Sequence, residues 1–253
     1  MDCVSINQEV HPTNRVAIVT GASGGIGRAV AERLAQDGQT VVVAYAGNKG
    51  RADEVVATIR AAGGTATAFQ ADVADEQQVA ALFAHAETEH GGADVVVHTA
   101  GVMLLAPLVE LDLDDFDRMV RTNVRGTFVV LREAARRVRE GGAIVSFSSS
   151  VTRLAFPTYS AYAATKGAVD AATAVVAKEM RGRDVTVNAV APGPTATPLF
   201  LDGKSDEQVA GLAKAAPLER LGFPDDIAEV VSFLAGPARW VNGQVLYVNG
   251  GIA

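Results

Sequence analysis

The chain has 253 residues, 49% hydrophobic and 20% charged, the balance of a globular domain large enough to bury a full core. A net charge of −7 with scattered basic residues gives no footprint for nucleic acid or an anionic membrane, and the apolar runs are too short to cross a bilayer. The one cysteine, Cys3, excludes an intrachain disulfide and agrees with a reducing cytoplasm.

Residues 1–14 are polar and carry acidic residues, with no apolar core for a signal peptide. They read as a flexible tail ahead of one domain over 15–253. A strand is expected over 15–20, then the stretch Thr20-Gly21-Ala22-Ser23-Gly24-Gly25-Ile26-Gly27, then a helix over 25–37. Further strands are expected at 40–45, 65–70 and 94–98, separated by helices at 51–62 and 75–90. A long helix over 112–139 leads to a strand at 143–147 and a helix at 159–181. A strand at 185–191, a helical region to about 235 and a strand at 244–248 complete the pattern. Arg132, Arg136, Arg137 and Arg139 alternate with Glu133 and Glu140 and read as a solvated helix face or a subunit contact.

Several strands are apolar throughout, which suits a parallel sheet buried on both faces. Strands separated by helices imply right-handed crossovers. The expected fold is therefore α/β, a Rossmann-type doubly wound parallel sheet with helices on both faces, whose ligands bind beyond the carboxyl ends of the strands. The first strand-to-helix turn is glycine-rich, with Gly21, Gly25 and Gly27 in a G-x-x-x-G-x-G pattern. Glycine admits positive φ and lets phosphate come close, and a helix N-terminus offers N–H groups and positive charge.

This loop resembles the cofactor loop of the short-chain dehydrogenase/reductase family. The resemblance extends through Asp72-Val73, Ala100-Gly101, Asn123-Val124-Arg125-Gly126, Ser148-Ser149-Ser150, Tyr162-Ala163-Ala164-Thr165-Lys166 and Pro192-Gly193 to Thr197. It ends on the run from Gly243 to Gly251. The resemblance implies an oxidoreductase that moves hydride between a nicotinamide dinucleotide and a carbonyl or secondary alcohol. Its general look is that of the 3-oxoacyl-reductase-like branch. The same resemblance implies a cytoplasmic homotetramer acting on a small molecule.

Tyr162 and Lys166 lie four residues apart on a predicted helix, so they share a face. A free phenol titrates near pH ~10, and a nearby cation is expected to lower that by roughly 1–3 units, with an oxidised nicotinamide adding to the effect. Tyr159 is a decoy, because the position four residues on is Ala163. The resemblance implies that Tyr162 is the general acid/base and that Lys166 also holds the nicotinamide ribose. It implies that Ser149, favoured by spacing over Ser148 and Ser150, holds the substrate oxygen. It implies that Asn123 holds a water in a proton relay to Lys166.

For the cofactor the resemblance implies contacts from Gly21, Ser23, Gly24, Gly25, Ile26 and Gly27. Ala100, Gly101, Pro192, Gly193, Thr195 and Thr197 join them. After the second strand, Tyr45 to Lys49 contains no carboxylate that would repel a 2′-phosphate, and Asn48 and Lys49 are suited to bind one. NADP(H) is favoured over NAD(H) on that basis, although many NADP(H)-preferring members carry a basic residue where this chain has Gly24. Asp72 is expected near the adenine with Val73 packing beside it, the competing reading being a helix cap.

The family usually shows Asn-Asn-Ala-Gly where this chain has His98-Thr99-Ala100-Gly101. Both replacements keep hydrogen-bonding capacity, and His98 reads as a satisfied structural histidine. His11, His85, His90 and His98 have no metal-ligand spacing, so no metal is expected. The expected substrate walls are Val102, Met103 and Leu104, the segment 151–156, and a mobile lid over 194–216. Two rival readings are a catalytically silent dinucleotide sensor and an NAD-dependent epimerase or dehydratase of the extended relatives. The complete Asn123, Ser149, Tyr162 and Lys166 set argues against the first, and the chain's length and glycine spacing argue against the second.

Overall fold

Apolar runs such as Val41-Val42-Val43 and Val95-Val96-Val97 become strands with both faces covered, as expected of a parallel sheet with helices on each side. The computed structural model describes residues 15–253. The lead segment with Cys3 and His11 lies outside the described residues.

The first half contains β1 (Val16–Thr20), α1 (Gly25–Gln36), β2 (Thr40–Tyr45), α2 (Lys49–Ala61), β3 (Thr65–Gln70), α3 (Glu76–His90) and β4 (Ala93–His98). The second half contains α4 (Leu113–Met119), α5 (Gly126–Arg137), β5 (Val138–Phe147), α6 (Val151–Leu154) and α7 (Ser160–Glu179). It continues through β6 (Thr186–Pro192), α8 (Pro198–Leu201), α9 (Asp206–Ala215), α10 (Pro224–Ala235) and β7 (Val245–Val248). The strands form one seven-stranded sheet in the order β3-β2-β1-β4-β5-β6-β7, and every pairing is parallel. The order reverses between β1 and β4, so the crevice for ligand opens there, at the carboxyl ends.

Alternate residues of each strand feed two cores. Val19, Val43 and Val97 pack with Leu34 of α1, Ile59 of α2 and Val231 of α10. Ile18, Val42 and Val96 pack with Phe83 of α3, Val130 of α5 and Ala172 of α7 on the other face. Burying such aliphatic side chains contributes about 1.5–3 kcal/mol each, which fixes the register of the strands and hence the height of the loops above them.

The expected long helix over 112–139 is interrupted. Between α4 and α5, Val120–Arg125 forms a π-helical turn. Such turns insert one residue into the helical ladder and recur at functional sites. The expected helical region before 235 also divides, because Pro198 and Pro224 each start a new helix at its first turn.

Candidate active site

The carboxyl ends of β1, β4, β5 and β6 enclose a cleft of about 460 Å³. Its floor at β1 is set by missing side chains. Gly21 adopts φ +69°, and a Cβ there would lie 2.8 Å from the Ala100 backbone. A Cβ on Gly27 would overlap the Gly21 carbonyl oxygen and lie 2.5 Å from the Thr99 hydroxyl. Gly24 has extended backbone with open space around it, and Gly25, at φ +54°, faces Thr197 across the cleft. Open space beside the N-terminus of a twelve-residue helix fits the diphosphate of a dinucleotide.

Ser23, Ile26, Ala100 and Gly101 border this space, as do Pro192, Gly193, Thr195 and Thr197. Thr195 hydrogen-bonds Gly193 O at 2.9 Å, and Thr197 caps α8 by accepting from Phe200 N at 3.3 Å. Tyr45, Asn48, Lys49, Asp72 and Val73 do not border it. Tyr45 is buried in the core. Asn48 caps α2 by accepting from Arg51 N at 3.0 Å, and Lys49 pairs with Asp53 at 2.7 Å. Asp72 accepts from Arg121 at 2.8 Å and from Ala74 N at 2.9 Å, while Asp75 caps α3 in its place. Desolvation opposes the Asp72 carboxylate, yet Arg121 and the Ala74 N–H hold its pKa below the ordinary value. Val73 turns away from the cleft and packs beneath Gly126.

Sequence reasoning missed Arg51, a cation that lines the cleft near the start of α2. No carboxylate pairs with it among the described residues. A signal was present. The first turn of α2 holds Lys49 and Arg51 and no acid, although a helix N-terminus favours acids.

On the β5 side the three serines have separate tasks. Ser150 donates to Ala191 O at 3.1 Å and accepts from Asn249 at 3.2 Å, bracing β6 and the C-terminal segment. Ser148 is 3% exposed. The Ser149 hydroxyl neighbours the Tyr162 phenol, in agreement with the spacing argument. Tyr162 and Lys166 share a face of α7, with Lys166 Nζ 5.6 Å from the Tyr162 ring centre. Lys166 donates to Phe147 O at 2.8 Å. Burial lowers its pKa to about 8, with Asp170 one turn further along α7 opposing the shift.

The expected shift of the phenol is reversed. Desolvation pushes Tyr162 up to about 12, and the Ser149 hydrogen bond offsets it only in part. Burial therefore favours the neutral phenol, with the neighbouring Tyr159 adding to the upward shift. Tyr159, the decoy, sits at the start of α7 with its ring 6.4 Å from that of Tyr162 and also borders the cleft.

Asn123 lies on the π-helical turn and is 1% exposed. Its side chain pairs with both backbone groups of Val102, each at 2.8 Å, and reaches Thr165 at 3.1 Å. Asn123 Oδ1 and Lys166 Nζ both lie within 3.6 Å of the point where a Gly101 Cβ would stand. The structure thus brings Asn123, Ser149, Tyr162 and Lys166 to one corner of the fold. Thr99 donates its hydroxyl to Thr20 O at 2.6 Å and so ties β4 to the end of β1. His98 is hydrogen-bonded at both ring nitrogens, and burial lowers its pKa to about 3 with the Lys166 charge adding to the effect.

The far rim is apolar. Met103, Leu154, Phe156, Leu199, Phe200 and Leu212 line it. The segment carrying α8 and α9 is pinned at its two ends, where Ala196 N donates to Gly222 O at 2.8 Å and Gly222 N to Pro194 O at 2.9 Å. Neither α8 nor α9, which lie in or beside the segment expected to form a lid, buries a residue. No group of three metal-ligating side chains occurs among the described residues, and no helix among them is long and apolar enough to cross a membrane.

Residues 21–253 match the family model described as enoyl-(acyl carrier protein) reductase. The chain is 44% identical over 248 residues to a short-chain type dehydrogenase/reductase of Picea abies, covering 94% of this chain and 92% of that protein. It is 39% identical to an NADPH-dependent aldehyde reductase-like protein, chloroplastic, of Arabidopsis thaliana, covering 98% and 97% of the two chains. Its structure resembles that of a short chain dehydrogenase from Burkholderia cenocepacia J2315 in complex with NADP, with a TM-score of 0.88, 39% identity and coverage of 95% and 98%.

Proposed function

The chain belongs to the short-chain dehydrogenase/reductase family, and from that premise we propose that it reduces the carbonyl group of a small apolar substrate with NADPH. The observation that carries this reading is the placement of the Tyr162 phenol in the cleft beside Ser149 and on the same helix face as Lys166. When bound, the nicotinamide supplies the hydride. Ser149 holds the substrate oxygen and Tyr162 delivers its O–H proton to that oxygen. Lys166 is predominantly cationic at neutral pH and eases the phenolate that results. Gly21, Gly25 and Gly27 leave room for the diphosphate. Arg51, in the first turn of α2, lines the cleft and is suited to a 2′-phosphate, which favours NADP(H) over NAD(H).

The NADP-bound neighbour and the NADPH-dependent relative support the cofactor choice. The apolar far rim supports a carbonyl compound with an apolar body. The same reading makes the protein a cytoplasmic homotetramer, which light scattering at working concentration checks. It also keeps residues 15–253 together as one folding domain.

The decisive experiment is a carbonyl panel read by NADPH absorbance for the parent and Tyr162→Phe. We expect the variant to lose at least about 10²–10⁴-fold in kcat, the range for a positioned acid, while binding NADPH nearly as well as the parent. Parent-like turnover by the variant overturns the assignment of Tyr162. NADPH binding without turnover of any carbonyl by the parent favours a silent sensor instead.

A further inference from the structure

His98 ends β4, and its surroundings permit one assignment of its protons. The Asn123 carbonyl oxygen can only accept, so the Thr127 hydroxyl, 2.6 Å away, spends its single proton there. Thr127 Oγ1 then accepts from His98 Nε2, 3.1 Å away, so Nε2 carries hydrogen. A ring 2% exposed among such partners is neutral, which leaves Nδ1 bare. Nδ1 therefore accepts from the Thr20 hydroxyl at 2.8 Å. The bonds run in one direction, from Thr20 through His98 and Thr127 to Asn123.

The two ends of this chain matter to the site. Thr20 is the last residue of β1 and the residue before Gly21. Its carbonyl also receives the Thr99 hydroxyl, against which Gly27 packs. Asn123 is the buried residue of the π-helical turn, and its amide fixes Val102 next to Gly101. The Thr127 hydroxyl ties the first turn of α5 back to the Asn123 carbonyl.

We propose that His98 is a positioning residue, the link through which the strand carrying the glycine loop and the turn carrying Asn123 are held in register. This rests on the reading of Asn123, Ser149, Tyr162 and Lys166 as the reaction site. Backbone pairing already joins β4 to β1, with Thr20 opposite His98 and Thr99 N donating to Thr20 O at 3.3 Å, and the ring adds a side-chain tie from this strand pair to Thr127 on α5. Breaking either contact leaves a buried donor or acceptor unmatched and lets the turn move relative to the loop.

The test uses the full chain. Ring nitrogen-15 spectra of the parent, assigned by comparison with His98→Asn, should show a neutral His98 with its proton on Nε2. A proton on Nδ1, or a doubly protonated ring at neutral pH, overturns the proposal. Thr127→Val removes the link to Asn123 with little change of volume. With NADPH and the best carbonyl of the panel, it should lower kcat per folded molecule about tenfold, and Thr127→Ser should restore it. If Thr127→Val lowers only the melting temperature and leaves kcat per folded molecule unchanged, His98 is merely structural and the proposal fails. If Tyr162→Phe abolishes turnover and Thr127→Val does not, this inference fails while the functional reading stands. If the parent turns over no carbonyl, the functional reading fails, and the ring spectrum decides the hydrogen-bond chain.

Discussion

On the β1 side of the cleft, Gly27 has no room for a single methyl group. On the β6 side, α8 and α9 bury no residue, and Leu199 and Leu201 remain 52% and 38% exposed. The first rim is backbone against backbone, with Gly21 against Ala100 and Gly27 against the Gly21 carbonyl. The second is a flap tied at Pro194, Ala196 and Gly222. The difference separates two kinds of recognition. A dinucleotide's phosphates are invariant and are met best by fixed N–H groups. A variable substrate body is met by apolar side chains on a segment with little to hold it down.

The comparison breaks most readily at Gly27. Gly27→Ala places a Cβ inside the space of a backbone oxygen that cannot swing aside. We expect a stability loss of about 1–3 kcal/mol and NADPH binding weakened by about tenfold or more, followed by thermal melting and fluorescence titration. Parent-like values in both would show that the glycine rim has slack.

Arg51 sharpens the contrast within the cofactor side, because it acts through a side chain. Arg51→Ala should raise the KM for NADPH about tenfold, the loss of one charged hydrogen bond, and leave that for NADH within about twofold. An equal rise for both cofactors would remove Arg51 from the 2′-phosphate end. The smallest effect is expected on the flap. Leu199→Ala should change stability by no more than about 0.5 kcal/mol while raising the KM for an apolar carbonyl by about tenfold or less. A large fall in melting temperature would mean that α8 is packed rather than hinged.

Much of the site was legible from local spacing. Tyr162 and Lys166 share a helix face because the helix repeat places them there, and Ser149 proved to be the serine beside the phenol. The π-helical turn at Val120–Arg125 was not legible, since its sequence continues the helical pattern on both sides. Asp72 was placed by its motif, but its partner Arg121 lies 49 residues away in sequence and only folding brings them together. The sequence suits Asn48 and Lys49 to a phosphate, whereas local capping and an i,i+4 ion pair engage both and leave Arg51 facing the cleft.

The sequence by itself determined the alternation of strands and helices, the glycine turn and the Tyr162–Lys166 pair, because periodicity and short spacing depend on neighbours along the chain. The tertiary structure alone decided the sign of the Tyr162 shift, the entry of Arg51 and the direction of the His98 chain. Desolvation depends on everything that surrounds a group, and His98 meets partners 78 and 29 residues away in sequence.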